Sequence, residues 1–428
     1  MKYLQRNLLE EIKKWIGRRE IIAIKGPRQA GKTTLLEMIM EWLLKEKMVN
    51  TKNIIFISFE DREELDKFSS DPKSYVRRYI DDNGKFYFLI DEVHYCSDIG
   101  QKLKLLYDTY KNVKFIITGS SSLELRSQTA KFLVGRIFSF ELLPLNFYEF
   151  LLYKDNNLAR IFKQENEKVR SFIYSGKNFK AKDKDIFIKE ILRYFEEYSI
   201  FGGYPEVVKA ENYEEKKLII KNIFNTYIEK DIIAFLQITD TIKFRKLVSA
   251  LAALIGSMIS YDKLISSCDS YFKEIINLLD ILQQTYVIKL LMPFHKNLVT
   301  ELRKNPKVYF YDSGLRNYAI NNFNSIELRE DNGKLAENFV LNELENEVAI
   351  NFWRTAAKAE VDFILNKVNE LIPIEVKFEA MKRPKLTKSF HSFLGNYNPK
   401  RALIITKDSW HEKNLGKTKI RFLPIGYI

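Results

Sequence analysis

Residues 20–34, EIIAIKGPRQAGKTT, decide the fold of this 428-residue chain. The apolar run EIIAIK is rich in isoleucine, as expected of a buried parallel strand, and the following LLEMIMEWLLKEK has the apolar spacing of an amphipathic helix. The loop between them, GPRQAGKT, fits the pattern G-x-x-x-x-G-K-[ST]. A strand, a glycine-rich loop and a helix in this order predict a phosphate-binding loop.

Each residue type in this loop suits contact with a nucleotide. Gly26 and Gly31 let the backbone wrap closely around the phosphates, while backbone N–H groups and the helix N-terminus supply positive potential. We expect Lys32 to reach the β- and γ-phosphates of ATP and the Thr33 hydroxyl to take one Mg²⁺ position. The predicted nucleotide-binding residues are Gly26, Pro27, Arg28, Gln29, Ala30, Gly31, Lys32, Thr33 and Thr34.

A second apolar segment supplies the acidic residues that such a site needs. Residues 85–90, KFYFLI, are followed by Asp91 and Glu92. A carboxylate at the carboxyl end of a strand beside the loop gives Mg²⁺ its second protein ligand, so Asp91 is the predicted metal ligand. Glu92 is then placed to orient or deprotonate the attacking water. The sequence therefore predicts ATP hydrolysis.

Further strands complete an α/β unit. Residues 53–59 (NIIFISF) and 113–118 (VKFIIT) predict strands of an open parallel sheet with crossover helices. Ser120, just after the second of these, is the candidate to sense the γ-phosphate or hold the water, although a capping or turn role suits this serine cluster nearly as well. Arg136 follows in FLVGRIF as either a surface ion pair or a catalytic group.

Composition limits the class of protein. With 46% hydrophobic residues the chain can bury sizeable cores, and its length suits about three domains of roughly 150 residues. Cys96 and Cys268 lack metal-ligand spacing. The charged start of the chain does not resemble a signal peptide, and no apolar stretch predicts a membrane span, so we expect a cytoplasmic protein without membrane contact. The net charge of +13 permits contact with nucleic acid, but charges of both signs are interspersed.

The middle of the chain predicts three segments. Residues 155–190 are charge-rich and predict a solvated insertion or long connection. Helical patterns at 190–235, broken by GGYP, predict a helical lid that follows the nucleotide state. Residues 243–293 have three helical segments and an apolar, strand-like tail, which is the order of a winged helix. Its last helix carries Lys273 beside acidic residues and no arginine, which favours packing against this chain or a partner over DNA reading.

A second candidate site lies near the C-terminus. Residues 360–366 and 371–378 alternate in polarity on either side of a short polar turn and predict a β-hairpin. With the turn at its centre, Asp362 lies opposite Glu375, and Lys377 shares their face. Two opposed carboxylates repel each other unless a divalent metal or Lys377 supplies a counter-charge. Metal binding and a solvated hairpin with one Lys–Glu pair therefore both remain open.

Several motifs together resemble a known family. GPRQAGKTTLL, FLIDEVHY, TGSSS and the segment GRIFSFELLPLNFYEF are similar to the AAA-type ATPase domain of a large archaeal and bacterial family, and FGGYPEVV, YIEKD and KVYFYDSGL also match it. The family has a C-terminal domain of unknown function that resembles restriction endonucleases. This resemblance covers essentially the whole chain. It implies that Arg136 is a phosphate-sensing or finger residue.

The spacing D-x₁₂-E-x-K resembles the active site of the PD-(D/E)XK nuclease fold, in which two acidic groups bind Mg²⁺ and the lysine positions or activates water. The resemblance implies that Glu337 (on a preceding helix), Asp362 and Glu375 bind a second Mg²⁺ or Mn²⁺ and that Lys377 is catalytic. Val361 stands where the nominal motif has proline. Nuclease-like folds also serve as binding scaffolds.

The predicted fold class is α/β, in four parts. Residues 1–153 form a P-loop AAA-type parallel-sheet domain, 154–240 the charged insertion and helical lid, 241–300 a winged-helix-like module and 301–428 a restriction-endonuclease-like α/β domain. The leading hypothesis is an ATPase that controls a nuclease-like domain acting on DNA. The alternative is a nucleotide-driven regulatory switch that binds a protein partner or assembles with itself, in which the C-terminal domain is an inactive scaffold.

Overall fold

The computed structural model describes residues 3–81, 84–119, 132–227, 240–294, 305–344, 348–367, 370–381 and 383–428. The chain divides into two compact units: unit 1 is Met1–Leu145 with Gln284–Tyr286, and unit 2 is Asn146–Gln283 with Val287–Ile428. Within the described ranges, no helix has both the length and the apolar character needed to cross a bilayer.

Unit 1 is an α/β unit. Its strands are β1 (Ile21–Lys25), β2 (Ile54–Ser58), β3 (Phe86–Asp91), β4 (Val113–Gly119) and β5 (Ile137–Glu141), and its helices are α1 (Asn7–Lys13), α2 (Lys32–Lys45), α3 (Arg62–Ser70), α4 (Pro72–Arg77) and α5 (Ile99–Thr109). The sheet order is β2-β3-β4-β1-β5, and every neighbouring pair is parallel. The predicted parallel sheet is confirmed.

Both faces of this sheet are buried, which explains the uninterrupted apolar strands. In β1, Ile21 and Ala23 belong to one apolar core, whereas Ile22 and Ile24 belong to a second core on the opposite face. Because β1, β3 and β4 are parallel neighbours, their carboxyl ends meet at one edge of the sheet. The loop before α2 lies at that edge.

Unit 2 begins with a helical segment. Its helices are α6 (Phe147–Lys154), α7 (Asn156–Ser175), α8 (Ile188–Phe201), α9 (Pro205–Lys209) and α10 (Tyr213–Ile223). The prediction of a solvated connection over 155–190 is wrong for α7, because Leu158, Phe162, Val169 and Phe172 form a buried stripe along this helix. The charged residues that dominate the sequence here occupy the other face of the helix. The remaining residues up to 187 form no helix or strand.

Three helices and a strand pair follow. They are α11 (Thr241–Ala253), α12 (Tyr261–Cys268), α13 (Phe272–Gln284), β6 (Ile288–Leu291) and β7 (Lys307–Phe310), and the two strands pair antiparallel. This order of elements is the one predicted from residues 243–293, with β7 lying beyond the predicted boundary at residue 300. The winged-helix assignment itself stays a prediction.

The last part of unit 2 is a mixed sheet with helices. The elements are α14 (Ser313–Ala319), α15 (Asn332–Glu343), β8 (Ala349–Arg354), β9 (Glu360–Lys367), β10 (Glu370–Lys377), α16 (Lys388–Tyr397), β11 (Arg401–Thr406), β12 (His411–Leu415) and β13 (Thr418–Pro424). The sheet order is β12-β13-β11-β10-β9-β8. Strands β10, β11 and β13 are parallel, and the other pairs are antiparallel.

The predicted hairpin is confirmed in the predicted register. Strands β9 and β10 pair antiparallel, with Leu371 opposite Asn366 and Ile374 opposite Phe363. The regular ladder ends one step before Asp362 and Glu375. Both carboxylates therefore lie where the two strands begin to separate, and there a side chain can reach backbone groups of the neighbouring strand.

Candidate functional site

The glycine-rich loop connects β1 to α2 at the carboxyl edge of the unit 1 sheet. A Cβ at Gly26 would collide with the carbonyl oxygen of Leu142, so only glycine fits where the loop leaves β1. Gly31 immediately precedes α2. The carbonyl of Ala30 accepts a hydrogen bond of 2.7 Å from the buried Arg6 guanidinium, and this contact holds the loop backbone in place.

The other loop residues differ in their surroundings. Arg28 donates a 3.0 Å hydrogen bond to the Tyr95 hydroxyl. Gln29 is exposed, with a φ of +60°, and Thr34 is partly exposed in the first turn of α2. Neither of these two side chains is buried. The carbonyl oxygen of Pro27 accepts a hydrogen bond from Lys32.

Lys32 is buried and makes contacts within the loop itself. Its ammonium donates hydrogen bonds to the carbonyl oxygens of Pro27 at 3.1 Å and Gly26 at 3.4 Å, and it lies 3.4 Å from Oε1 of Glu92. Burial lowers the pKa of Lys32, against the opposing effect of the Glu92 and Asp91 carboxylates. The cation is therefore held at the centre of the loop by groups that an incoming phosphate can replace.

The predicted metal ligands lie in direct contact. Thr33 Oγ1 donates a 2.6 Å hydrogen bond to Oδ2 of Asp91, so the hydroxyl and the carboxylate are adjacent at the carboxyl edge of the sheet. Thr118 on β4 donates to the other oxygen, Oδ1 of Asp91, and accepts a 2.9 Å hydrogen bond from the backbone N–H of Glu92. Thr118 was missed by sequence reasoning; its signal is the polar side chain at the end of VKFIIT on the neighbouring strand.

Glu92 is held between two partners. One carboxylate oxygen faces Lys32, and the other, Oε2, lies 2.9 Å from Nδ1 of His94. The backbone of Glu92 is left-handed, with a φ of +51°, a conformation that non-glycine residues adopt at a cost and that is common at functional sites. His94 was also missed, although it stands two residues after Glu92 in FLIDEVHY. The arrangement fixes a carboxylate beside the phosphate-binding loop.

The two remaining predicted residues of unit 1 are Ser120 and Arg136. Ser120 is outside the described residues. Arg136 precedes β5 and accepts, through its carbonyl, a hydrogen bond from the backbone N–H of Ile21 at the start of β1. Since β1 is five residues long, Arg136 is roughly 15 Å from the loop, at the opposite edge of the sheet, where it pairs with Asp108 at 3.1 Å. The catalytic role of Arg136 therefore stays a prediction, and the contact that the structure gives its guanidinium is the ion pair with Asp108.

In unit 2, the predicted C-terminal residues do converge. Asp362 Oδ2 accepts a 2.8 Å hydrogen bond from the backbone N–H of Val376, across the point where β9 and β10 separate. Glu375 pairs with Lys377 at 2.9 Å and accepts hydrogen bonds of 3.0 Å from Thr387, the residue that caps α16. Glu337 projects from α15. We call Glu337, Glu360, Asp362 and Glu375 the C-terminal acidic cluster.

A buried lysine that the sequence did not single out enters this cluster. Lys307, the first residue of β7, has a side chain only 1% exposed; its Nζ lies 2.6 Å from Glu360, 3.8 Å from Glu337 and 4.0 Å from Asp362. Burial alone would lower the pKa of Lys307, but the carboxylates of Glu337, Asp362 and Glu360 outweigh burial and raise it. The ammonium is therefore fully charged at neutral pH.

Burial also changes the pKa values of two carboxyl groups in the cluster. Burial, reinforced by the charge of Asp362, raises the pKa of Glu337 to about 7, and burial raises the pKa of Glu375. In the described parts of the chain, no three His, Cys, Asp or Glu side chains are grouped so that they could hold a metal ion. The carboxylate oxygens that could bind a metal instead contact basic side chains and a backbone N–H group. The arrangement therefore does not fit the divalent metal that the nuclease resemblance implies.

Three family models match parts of the chain. Residues 18–151 match an AAA domain, residues 192–326 match a domain of unknown function (DUF8612) and residues 332–428 match another domain of unknown function (DUF4143). The chain therefore carries an N-terminal AAA domain of the P-loop ATPase type and a C-terminal DUF4143 domain.

Similar proteins span most of the chain. An uncharacterized protein of Haemophilus influenzae is 26% identical over 402 residues, which is 90% of this chain and 89% of that protein. An uncharacterized protein of Methanocaldococcus jannaschii is 25% identical over 92% of this chain and 84% of its own length. Among solved structures, the ADP form of the Aeropyrum pernix ORC2 protein covers 68% of this chain and 87% of that chain with 13% identity and a TM-score of 0.33.

Proposed function

We propose that the chain binds ATP as its Mg²⁺ complex and hydrolyses the ATP. The observation that carries this proposal is the 2.6 Å contact between Thr33 Oγ1 and Asp91 Oδ2, with Lys32 and Glu92 beside it. Hydroxyl and carboxylate oxygens are the hard donors that Mg²⁺ prefers, so this pair fits the ion. Thr33 and Asp91 would hold the ion there, and the ion would supply positive charge to offset the negative charge that develops during phosphoryl transfer.

The chain's own residues have distinct tasks in this reaction. When ATP binds, Lys32 donates its hydrogen bonds to oxygens of the β- and γ-phosphates in place of the loop carbonyls. The buried ammonium therefore keeps hydrogen-bond partners throughout. Glu92 orients the attacking water and accepts its proton. His94 holds the second oxygen of Glu92, and Thr118 fixes the orientation of Asp91. Neither of these two positioning residues has to touch the nucleotide.

Phosphate release by the full chain tests the proposal, measured with Mg²⁺ and with excess chelator. We expect turnover that requires Mg²⁺ and that Lys32→Ala abolishes together with tight nucleotide binding. Lys45→Ala is the matched control, because this lysine lies on the same helix with its side chain 73% exposed. If the wild-type chain neither binds nor hydrolyses a nucleoside triphosphate, the proposal is wrong.

We further propose that the nucleotide state drives a regulatory switch, which a protein partner or a second copy of the chain recognises, and that the C-terminal domain is a scaffold in this switch. The carboxylates of the C-terminal acidic cluster are engaged by Lys307 and by other basic residues, which supports binding over cleavage. Size-exclusion chromatography in ADP and in a non-hydrolysable ATP analogue measures the switch as a change in oligomer size or partner capture. Identical behaviour in both nucleotides would count against it.

Cleavage of DNA by the C-terminal domain is the second candidate. The observation that favours it is the convergence of Asp362, Glu375 and Lys377 where β9 and β10 separate. The charge of Asp362 also contributes to the raised pKa of Glu337. Unlike the scaffold role, this candidate requires a divalent metal to displace the basic partners of these carboxylates. It predicts cutting that needs Mg²⁺ or Mn²⁺, that disappears in Asp362→Ala and that leaves ATP turnover intact. If supercoiled, linear and single-stranded DNA all survive incubation with ATP and either metal, this candidate is rejected.

A further inference from the structure

The C-terminal acidic cluster contains its own cation. Lys307 Nζ lies within 4.0 Å of a carboxylate oxygen on each of Glu337, Glu360 and Asp362, and 5.2 Å from the centre of the Phe352 ring. A buried ammonium is costly unless nearby negative charge compensates it. Three carboxylates and an aromatic face supply that compensation here, so the position of Lys307 and the positions of the carboxylates depend on each other.

We propose that Lys307 is the resident cation of the C-terminal acidic cluster, in place of the divalent metal that the nuclease resemblance implies, and that the cluster works without a metal in this chain. This inference rests on the proposed scaffold role and deepens it. The ammonium neutralises the repulsion between carboxylates on α15 and β9, and so joins β7 to these two elements without an external ion.

The charges of the cluster are already matched. Within the described residues, each of its four carboxylates has a cation within 4.0 Å: Lys334 and Lys307 for Glu337, Lys307 and Arg354 for Glu360, Lys307 for Asp362, and Lys377 for Glu375. Backbone and hydroxyl donors take further lone pairs on Asp362 and Glu375. A divalent ion at this point would lie against an ammonium, and its charge would exceed the negative charge left uncompensated.

Binding of Mn²⁺ alone tests the inference, measured by electron paramagnetic resonance on the nucleotide-free full chain. All proteins carry Asp91→Asn, which removes the metal ligand of the nucleotide site. We expect this parent and its Asp362→Asn variant to bind the same number of Mn²⁺ ions. Lys307→Met is expected to gain one ion per chain, with an affinity at least tenfold above the background, and the gain is expected to vanish when Asp362→Asn is added.

Lys334→Met is the matched control. It removes the same charge from beside Glu337, but its side chain is 38% exposed and lies at the margin of the cluster, so no ion should be gained. If Lys307→Met folds and gains no ion, the inference is overturned. If that variant does not fold, the parent decides alone: an ion lost on Asp362→Asn overturns the inference, and an unchanged count supports it. Because no nucleotide is present, failure here is separate from failure of the ATPase proposal.

Discussion

Gly203 donates its backbone N–H to Oδ2 of Asp312 at 2.8 Å and so joins two segments 109 residues apart, FGGYP and YDSGL. Asp312 also caps α14 by accepting a 2.9 Å hydrogen bond from the backbone N–H of Leu315. Gly202 has a φ of +80°, and a Cβ there would collide with the Asp312 carboxylate, so this close approach requires glycine. The two segments therefore form a structural joint within unit 2.

The buried carboxylate of Asp312 predicts a pH-dependent stability. Burial raises its pKa from 3.8 to about 6, so the folded chain binds this proton more tightly than the unfolded chain does. The resulting stabilisation is complete below about pH 4 and is lost as the pH rises to about 6, a change of about 3 kcal/mol in the free energy of unfolding. We expect Asp312→Asn to lack this component in urea unfolding curves measured across the window.

Glu337 titrates in the wild type and in Asp312→Asn, so its contribution cancels in the difference between their curves. Asp262→Asn, an exposed change on α12, is the control and should keep the wild-type pH dependence. Parallel curves for wild type and Asp312→Asn would contradict the assignment.

Most of the nucleotide site could be predicted because its signals are local in sequence. Lys32 and Thr33 follow a strand within one short motif, and Asp91 is marked by the strand that it ends. The register of the β9–β10 hairpin could also be predicted, since a short turn fixes it. In contrast, Thr118 meets Asp91 only because β4 is the neighbour of β3 in the sheet order, a tertiary fact that no local pattern contains.

The same limit applies to Lys307 and to α7. Lys307 enters the acidic cluster from a strand far from β9 and β10 in sequence, so spacing within the hairpin could not reveal it. In α7 the high charge concealed an apolar stripe that includes Phe162 and Phe172, because average polarity says little about which face of a helix is buried.

Glu92→Gln should separate binding from hydrolysis. The amide keeps the size of the side chain but cannot accept the proton of the attacking water, so kcat should fall by about 10²–10⁴-fold. Nucleotide affinity should stay within a few-fold of wild type, because Lys32, Thr33 and Asp91 are unchanged. Phosphate release and equilibrium nucleotide binding are the two measurements. Glu63→Gln, with a side chain 76% exposed, is the control, and turnover at the wild-type rate in Glu92→Gln would exclude Glu92 as the base.

His94 should act through Glu92 alone. Loss of a hydrogen bond to a charged group, as in His94→Ala, is expected to lower kcat by about tenfold while KM for ATP stays unchanged. His94→Asn should restore part of the rate, because its amide N–H can replace the donor at Nδ1. An equal loss in both variants, or a rise in KM, would point to disruption of the loop and not to positioning of Glu92.

The stripe on α7 gives a stability prediction. Phe162 is buried and meets the ring of Phe147 edge-on, with centroids 5.6 Å apart. Phe162→Ala should destabilise unit 2 by about 3–5 kcal/mol, as expected for truncation of a buried aromatic side chain. Thermal unfolding followed by circular dichroism measures the change, with the exposed Gln164→Ala as control. A variant as stable as wild type would mean that α7 is the solvated segment that its charge suggests.

Arg136 gives the test of whether catalysis involves a second chain. Because it lies at the edge of the sheet opposite the loop, Arg136→Ala should leave nucleotide affinity unchanged at protein concentrations where the chain is monomeric. If Arg136 acts as a finger on a neighbouring subunit, its loss lowers turnover only at concentrations where the chain self-associates, and by about 10³-fold or more. Asp108→Asn is the matched variant, since it breaks the same 3.1 Å ion pair but keeps the guanidinium. If wild type, Arg136→Ala and Asp108→Asn hydrolyse ATP at the same rate per chain at every protein concentration, Arg136 has no catalytic role and only forms the ion pair with Asp108.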